Sequence, residues 1–205
     1  MLWVNEIFGP TIQGEGKTIG NITMFLRLTF CNLRCSFCDT SYVFKEGKKM
    51  SNDEILEKIS KIKSLVITGG EPLLQQKNLI SLISKLPNHW IEIETNGMIV
   101  PSNELIPFVS LFNCSPKYKL NKQALEIFSK INSIFKFVIQ DDIDKVISLV
   151  EELKIDKEKV YLMPEGKTRK EQIEKSPQII ELCNRYGFRF SPRLHTLIWD
   201  NKCGV

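Results

Sequence analysis

Long apolar runs are absent from this sequence, and so is any recognisable targeting segment. No run approaches the roughly 18 consecutive apolar residues that a membrane-spanning helix requires. The first ten residues, MLWVNEIFGP, carry neither a basic flank nor an apolar signal core. We therefore expect a cytoplasmic protein with no membrane partner.

The sequence also has little excess of either charge, because 28 basic and 24 acidic residues leave a net charge of +4. So small and scattered an excess does not by itself indicate a nucleic-acid-binding protein. The aromatic strand pattern at 90–94 contains Trp90, and a single tryptophan at strand spacing is usually part of a core. We therefore expect no direct binding of tRNA or other nucleic acids.

No internal repeat or low-complexity linker interrupts the chain. Hydrophobic residues make up 42% and charged residues 25% of the 205 residues, which is an ordinary globular composition. A chain of this length buries about 70% of its unfolded surface on folding. We expect one domain, spanning residues 1–205.

Short apolar runs alternate with helical patterns, which predicts repeated β-α units around a parallel sheet. A closed eight-unit barrel takes about 250 residues, so this length predicts an α/β fold with a partial, open barrel of about six parallel strands. Active sites of such barrels lie at the carboxyl ends of the strands. The predicted strands are 22–30, 65–68, 90–94, 111–114, 134–139, 160–163 and 188–190.

Helix boundaries are visible as capping signals. Ser51 with Glu54, and Thr168 with Glu171, have the spacing of a capping box, in which side chains bind the unpaired amides of the first turn. Gly187 is well placed to end the helix that Thr168 begins, because glycine readily adopts the left-handed conformation there.

Three of the six cysteines, Cys31, Cys35 and Cys38, lie within eight positions of one loop. Three thiolates suit three irons of a cubane cluster. A closed zinc site would need a fourth ligand, and the two histidines, His89 and His195, are distant in sequence. The loop therefore predicts a 4Fe-4S cluster with one open iron, and a zinc knuckle with a distant ligand is the alternative.

The remaining cysteines, Cys114, Cys183 and Cys203, do not have the spacing to complete that set. We interpret them as buried or incidental thiols.

The spacing C-x3-C-x2-C, with the aromatic Phe37 before the last cysteine, resembles the signature of the radical S-adenosylmethionine (SAM) superfamily. The segment TGGEP at 68–72 resembles the glycine-rich loop of that superfamily, which contacts the SAM amino group. The resemblance implies that the open iron chelates SAM and that an electron cleaves it to a 5'-deoxyadenosyl radical.

Further motifs resemble one family, the 7-carboxy-7-deazaguanine synthases of the queuosine pathway. They are IFGPTIQGEG at 7–16, Arg27, CDT at 38–40, ETNG at 94–97, SPK at 115–117, MP at 163–164 and SPRLH at 191–195. The resemblance implies that 6-carboxy-5,6,7,8-tetrahydropterin is converted to 7-carboxy-7-deazaguanine with loss of ammonia. SAM would be regenerated in each cycle, and Mg²⁺ would help to hold the substrate.

The same resemblance implies roles for particular residues. It places Phe37, Cys38, Asp39, Gly70, Ser115, Pro116, Lys117, Met163, Pro164 and Glu165 along SAM. It places Ile12, Gln13, Gly14, Glu15, Arg27, Thr68, His195 and Val205 around the pterin, and Thr40 at Mg²⁺.

The residue types suit these roles, since the Arg27 guanidinium can bind a carboxylate in two places and the Thr40 hydroxyl is a hard oxygen ligand. Each also has a structural alternative. Arg27 could pair with a surface acid, Thr40 could cap a turn, and His195 could be a satisfied structural histidine.

Two other functions are compatible with the cysteine loop. A glycyl-radical-enzyme activating enzyme shares it, although the segment around Gln13 and Glu15, and Thr40 after the cysteines, argue against that function. A non-catalytic iron-sulfur or zinc binding module is the alternative from another class.

Partners are expected from the family rather than from local chemistry. They are a flavodoxin or ferredoxin type reductant and a second copy in a homodimer. The hairpin-like insert at 41–50 carries Phe44, Lys45, Lys48 and Lys49 and has no assignment beyond a lid or a contact for an electron donor.

Overall fold

The computed structural model describes residues 1–36, 38, 40–44, 47–59, 62–139, 143–202 and 204. The strands are β1 Leu2–Ile12, β2 Ile22–Leu28, β3 Lys48–Met50, β4 Ser64–Gly69, β5 Trp90–Thr95, β6 Leu111–Cys114, β7 Ser133–Ile139, β8 Val160–Pro164 and β9 Arg189–Phe190. The α-helices are α1 Asn52–Ile59, α2 Gln76–Ile83, α3 Lys122–Lys130, α4 Asp144–Glu152, α5 Arg169–Tyr186 and α6 Leu194–Trp199.

Within these residues the strands form one sheet in the order β3-β1-β2-β4-β5-β6-β7-β8-β9. Seven of these strands form a parallel part of the sheet, in the order β2-β4-β5-β6-β7-β8-β9, and each pairs in parallel with the next. The two ends of the sheet, β3 and β9, are not paired with each other in the described chain. The predicted open α/β barrel is confirmed, with a two-residue seventh parallel strand.

Two strands were missed: β1, which pairs antiparallel with β2, and β3, which pairs antiparallel with β1. Strand β1 contains Pro10, which cannot donate to the ladder. The structure accommodates it at a register shift between Phe8 and Thr11. The expected hairpin-like insert is wrong in its described part, because Lys48–Met50 pairs with β1 instead of forming its own hairpin.

The two faces of the parallel sheet differ in chemistry. Alternate residues, such as Leu26, Ile67 and Phe135, point towards the helices and belong to the main apolar core. On the inner face, Leu111, Ile134 and Tyr161 form a small apolar cluster near the amino ends of their strands. This cluster fills the bottom of the barrel. Above it the inner face carries polar residues such as Arg27, Glu94 and Lys136, together with apolar ones such as Val138 and Met163.

The predicted helix caps are confirmed. The Ser51 hydroxyl accepts the Glu54 N–H at 3.2 Å, and Glu54 accepts the Ser51 N–H at 2.6 Å. Thr168 and Glu171 form the reciprocal pair at the start of α5, and Gly187 ends that helix at a φ of 74°. Caps of this kind each stabilise by about 1 kcal/mol.

The described residues contain no helix long and apolar enough to cross a membrane.

Candidate functional site

A cavity of about 340 Å³ opens at the carboxyl ends of the parallel strands. Four loops that follow strands line it together, as the sequence predicted: the cysteine loop, the glycine-rich loop after β4, the loop after β5 and the loop after β6. Strand residues from the inner face, among them Arg27, Thr68, Glu94 and Lys136, form its walls. The topology therefore brings distant motifs to one place.

The cysteine loop is held by one backbone N–H and by the side chains of Arg34 and Asn96. The Leu33 N–H lies 3.4 Å from the Cys31 Sγ, and the Asn96 amide nitrogen lies 3.8 Å from the same sulfur. Arg34 donates to the carbonyl oxygens of Cys31 and Leu33 at 2.7 Å. These bonds fix the backbone of the loop.

The three thiols are only partly buried and line the cavity together. Burial raises the pKa of the Cys31 and Cys35 thiols. Binding to iron would reverse this effect, because a coordinating thiol is deprotonated outright.

The three cysteines surround one cavity. In the part of the chain that the structure describes, no group of three His, Cys, Asp or Glu side chains is placed to hold a single metal ion. A cubane cluster instead distributes its thiolates over separate irons, and Cys31, Cys35 and Cys38 around one cavity suit that chemistry.

The glycine-rich loop packs directly on the cysteine loop. A Cβ on Gly70 would lie 1.9 Å from the Phe30 carbonyl oxygen, and one on Gly69 would lie 2.1 Å from that of Leu28. The Gly70 and Glu71 N–H groups donate to those same carbonyls, Leu28 at 3.2 Å and Phe30 at 2.8 Å. Only glycine permits so close an approach of the two backbones.

Glu71 joins this loop to the next one. Its carboxylate accepts the Leu73 N–H at 3.0 Å, the Thr95 hydroxyl at 2.9 Å and the Asn96 N–H at 2.7 Å. Burial raises the pKa of Glu71 to about 7, against the effect of these hydrogen bonds. The side chain is fully buried, so it acts as a fixed connection between the loops after β4 and β5.

A buried cation lies at the centre of the lumen. The Lys136 Nζ is 2.8 Å from Glu15 Oε2 and 2.7 Å from Glu94 Oε2, and only 3% of the Lys136 side chain is exposed. Arg193 Nε binds the other Glu15 oxygen at 3.0 Å. Two cations thus face the Glu15 carboxylate.

Amide groups complete this layer. Asn113 donates at 3.0 Å to both Glu92 Oε2 and Glu94 Oε1, and Gln13 lies 3.4 and 3.3 Å from the same two oxygens. The Trp90 indole N–H donates to Glu92 Oε1 at 2.7 Å. We call Gln13, Glu15, Glu92, Glu94, Asn113, Lys136 and Arg193 the lumen layer.

The charges of the lumen layer shift one another's pKa. Burial opposes ionisation of Glu15, but Lys136, Arg193 and His195 outweigh it and hold the Glu15 pKa well below its usual range. Burial also opposes the Lys136 ammonium, but Glu15 and Glu94 raise the pKa of Lys136 above its usual value. The pKa of Glu94 is raised by burial and by the negative charges of Glu15 and Glu92, despite Lys136.

The open side of the barrel is bridged by residues 13–16. Gly14 accepts the Leu194 N–H at 2.8 Å, and Gly16 donates to the Ser191 hydroxyl at 2.8 Å. A Cβ on Gly14 would lie 2.0 Å from His195 Nδ1. The loop after β1 therefore meets the segment after β9 and encloses the lumen layer.

Arg27 has two sets of contacts. Its side chain lines the cavity, and its Nε also binds Glu6 Oε1 at 2.6 Å. The guanidinium carbon lies 5.3 Å from the centre of the Phe8 ring, which stacks on Phe25 at 4.8 Å. Pairing with an acid was the alternative role that the sequence allowed for Arg27. Glu6 is that acid, and it orients the guanidinium that faces the cavity.

Thr40 lies beside the last cysteine. Its hydroxyl is 3.8 Å from the Cys38 Sγ, and its carbonyl accepts the Val43 N–H at 3.1 Å. Thr40 therefore both lines the cavity and forms a turn contact, and the sequence allowed each of these roles.

Most of the predicted site residues surround the same cavity. Pro116 is buried next to Ser115 and is not among the lining residues in the described chain. Phe37, Asp39 and Val205, like Lys45 and Cys203, lie outside the described residues. Cys114 and Cys183 are buried, as predicted. The residues that line the cavity are Ile12, Gln13, Gly14, Glu15, Arg27, Cys31, Cys35, Cys38, Thr40, Thr68, Gly70, Ser115, Lys117, Met163, Pro164, Glu165 and His195.

Sequence reasoning missed Lys136 and Glu92 as site residues, and it named Glu94 and Arg193 only within family motifs. A signal for them existed, because β5 reads Trp-Ile-Glu-Ile-Glu-Thr, in which the isoleucines belong to the core and the acids alternate with them. In a barrel strand such alternation places the acids on the inner face. The same period applies to Lys136 between Phe135 and Phe137.

Comparison with known proteins agrees with this geometry. The radical SAM superfamily model matches residues 26–107. A 7-carboxy-7-deazaguanine synthase of Pyrobaculum aerophilum is 36% identical, with 98% of this chain and 96% of the relative covered. One of Hyperthermus butylicus is 35% identical, with 97% and 93% covered. The crystal structure of QueE from Escherichia coli superposes with a TM-score of 0.74 at 26% identity, over 95% of this chain and 94% of that one.

Proposed function

This chain belongs to the 7-carboxy-7-deazaguanine synthase family within the radical SAM superfamily, and on that basis we propose that it converts 6-carboxy-5,6,7,8-tetrahydropterin to 7-carboxy-7-deazaguanine with release of ammonia. The observation that carries the proposal is one cavity that joins three cysteines at its mouth to a layer of carboxylates and amides in its lumen. Family membership favours this function over a glycyl-radical activating enzyme or a non-catalytic module.

The lumen layer suits the ring system of a pterin. The amino-pyrimidinone edge of the pterin presents N–H donors and a carbonyl acceptor. Carboxylates and amides are the groups that form hydrogen bonds with such an edge. Glu15 and Glu94 line the cavity with their carboxylates already oriented by Lys136. Glu6 orients Arg27. The Arg27 guanidinium can bind the substrate carboxylate in a bidentate manner, through two parallel hydrogen bonds.

The chain's own residues would also hold the cofactors. Cys31, Cys35 and Cys38 would bind a 4Fe-4S cluster, which with SAM supplies a carbon-centred radical when it is reduced. Gly70 has no side chain, so its backbone would be able to approach SAM closely. A side chain at this position would also collide with Phe30. The Thr40 hydroxyl would be one ligand of Mg²⁺, which keeps several waters and substrate oxygens besides.

Several finer points belong to the same proposal. We propose a single radical SAM domain over residues 1–205, a homodimer in the cytoplasm, and reduction by a flavodoxin or ferredoxin type protein. Sedimentation of the purified chain tests the dimer.

Anaerobic turnover tests the reaction itself. The reconstituted, reduced enzyme receives SAM, Mg²⁺ and 6-carboxy-5,6,7,8-tetrahydropterin, and product and SAM are measured by mass spectrometry. We expect many equivalents of product for each SAM consumed. SAM cleavage without product would reject the substrate, and no cleavage by a verified, reduced cluster would indicate a non-catalytic module.

Matched variants separate the cluster from general damage. Cys35→Ala should abolish iron binding and turnover, whereas Cys183→Ala, which alters a buried cysteine on α5, should keep both. For Mg²⁺, Thr40→Ala should raise the magnesium concentration needed for half-maximal activity, and Thr40→Ser, which keeps the hydroxyl, should not. Equal magnesium dependence of these two variants would remove Thr40 from the metal site.

A further inference from the structure

Arg193 lies between β9 and α6, in the segment that meets residues 13–16 across the open side of the barrel. Its side chain is 17% exposed and lines the cavity. The guanidinium donates in two directions, because Nε binds Glu15 Oε1 at 3.0 Å and Nη1 binds the Gly166 carbonyl oxygen at 3.0 Å. One side chain therefore holds two loops from distant parts of the sequence, the loop after β1 and the loop after β8.

The loop after β8 reaches the mouth of the cavity. Glu165, Gly166 and Lys167 line the cavity, and the Lys167 Nζ lies 3.4 Å from the Cys38 carbonyl oxygen. Of the two loops that Arg193 binds, one is thus connected to the cysteine loop, and the other carries Glu15 of the lumen layer. Arg193 joins the mouth of the cavity to its lumen.

A buried amide fixes the acceptor that Arg193 uses in the loop after β8. Gln172 on α5 is completely buried, and its Nε2 donates to the carbonyl oxygens of Pro164 at 3.2 Å and Gly166 at 3.1 Å. Its Oε1 accepts the Arg193 backbone N–H at 3.4 Å. A Cβ on Gly166 would lie 2.7 Å from the Glu171 Cβ, so the loop packs directly on the first turn of α5.

Closing the barrel and neutralising Glu15 do not by themselves account for this arginine. Hydrogen bonds of residues 13–16 to the segment after β9 already join these parts of the chain. Lys136 already provides Glu15 with a buried cation at 2.8 Å. Arg193 adds a geometric constraint, since a planar guanidinium donates along fixed directions to two groups at once, whereas an ammonium is a compact point charge.

We propose that Arg193 is a positioning residue shared by two ligand sites, which orients Glu15 towards the pterin and, through the Gly166 carbonyl, the loop after β8 towards SAM. The inference rests on the proposed function, which needs a pterin in the lumen and SAM beside the cysteine loop. Arg193 acts on each ligand through another residue. It differs in this from Lys136, whose two partners are both carboxylates of the lumen layer.

Two substitutions separate the two contacts. Arg193→Met removes the charge and both hydrogen bonds, so the dissociation constants of the pterin and of SAM should each rise on the order of tenfold. Arg193→Lys keeps a positive charge that can pair with the Glu15 carboxylate, but it lacks the fork that also holds the neutral Gly166 carbonyl. We therefore expect Arg193→Lys to recover most of the pterin affinity and to bind SAM as weakly as Arg193→Met does.

Arg189→Met and Arg189→Lys are the matched controls. Arg189 lies on β9 and forms an exposed pair with Glu158 at 3.3 Å, outside the cavity lining of the described chain. Neither control should change either affinity. Urea unfolding establishes that each variant is folded under the conditions of the binding measurements.

Anaerobic titration calorimetry of the reconstituted holoenzyme measures the two affinities without turnover, because the cluster is kept oxidised. SAM is titrated first into the protein alone. The substrate 6-carboxy-5,6,7,8-tetrahydropterin is then titrated in the presence of Mg²⁺ and saturating SAM, so that a weaker SAM site does not alter the apparent pterin affinity.

A loss of affinity for only one ligand in Arg193→Met, or for neither, overturns the shared role. So does an equal loss in the Arg189 controls, or a SAM affinity of Arg193→Lys equal to that of the parent. If Arg193→Met does not fold, the two titrations of Arg193→Lys decide by themselves. A parent that binds SAM but neither binds the pterin nor forms product rejects the proposed function instead, and the SAM titrations still decide on the contact between Arg193 and Gly166.

Discussion

Polar groups in the lumen are held by other side chains, whereas those at the mouth of the cavity also accept several backbone N–H groups. Lys136 is bound by two carboxylates from other parts of the chain. The Cys31 sulfur and the Glu71 carboxylate instead accept backbone N–H groups of nearby loops. The side chains of the lumen layer are therefore positioned by one another before any ligand binds. At the mouth, the loops position Cys31, Cys35 and Cys38, to which a metal cluster would bind.

The difference indicates where each region is vulnerable. A buried ion pair that loses one partner leaves an uncompensated charge, which destabilises strongly. A loop held by backbone groups tolerates side-chain changes better, but it depends on glycine where two backbones meet. The predictions below test this contrast, from the largest expected effect to the smallest.

Lys136→Met should break the lumen layer. Removing the cation leaves Glu15 and Glu94 facing each other without it, and we expect the free energy of unfolding in urea to fall by about 3–5 kcal/mol. Lys85→Met is the matched control, because Lys85 forms an exposed pair with Asp53 at 3.1 Å and such pairs contribute about 0–1 kcal/mol. Equal losses for the two variants would contradict a special role for the buried network.

Glu15→Gln should change how the free energy of unfolding depends on pH under acidic conditions. The folded-state pKa of Glu15 lies below its ordinary value of 4.5, so the folded protein binds fewer protons there than the unfolded chain. Its contribution is therefore present above pH 4.5 and is lost as the pH falls below it. The stability difference between parent and variant should narrow on acidification, and a difference that stays constant would argue against the ion pairs.

Glu71→Gln should have the opposite dependence. Because burial raises the folded-state pKa of Glu71 to about 7 from 4.5, the folded protein binds more protons between these values. Its contribution is greatest below pH 4.5 and is lost as the pH rises to about 7. Urea unfolding of the cluster-free chain should show parent stability falling across this window relative to Glu71→Gln.

The matched control for both acids is Glu181→Gln, which makes the same change at an exposed residue of α5. If the pH dependence of Glu71→Gln equals that of the parent, the two regions do not differ in the way their carboxylates are held.

Asn96→Ala should have the smallest effect on stability and a specific effect at the mouth. The Asn96 amide approaches the Cys31 sulfur at 3.8 Å and donates to Asn32 at 2.8 Å. Hydrogen bonds to cluster sulfurs influence the reduction potential, and removing a donor should make it more negative. A redox titration followed by electron paramagnetic resonance measures this, and an unchanged potential would show that the contact is only structural.

Patterns that act over a few residues were readable in the sequence. The capping boxes at Ser51 and Thr168 depend on residues three apart, and the spacing of Cys31, Cys35 and Cys38 lies within one loop. The seven parallel strands were visible for a related reason, since apolar runs and helical patterns alternate along the chain. The order of those elements placed the loops after four strands around one cavity.

Only the tertiary structure decided how distant segments pair. Lys136 and Glu15 are 121 residues apart, and Arg193 and Glu15 are 178 apart. Strand β1 pairs antiparallel with β2 although it contains Pro10, because a register shift removes the need for that proline to donate. The sequence by itself determined the cysteine loop, the caps and the alternation of strands and helices, since these depend on neighbours. The lumen layer and the closing of the open side by residues 13–16 depend on contacts across the barrel, which exist only once the sheet has formed.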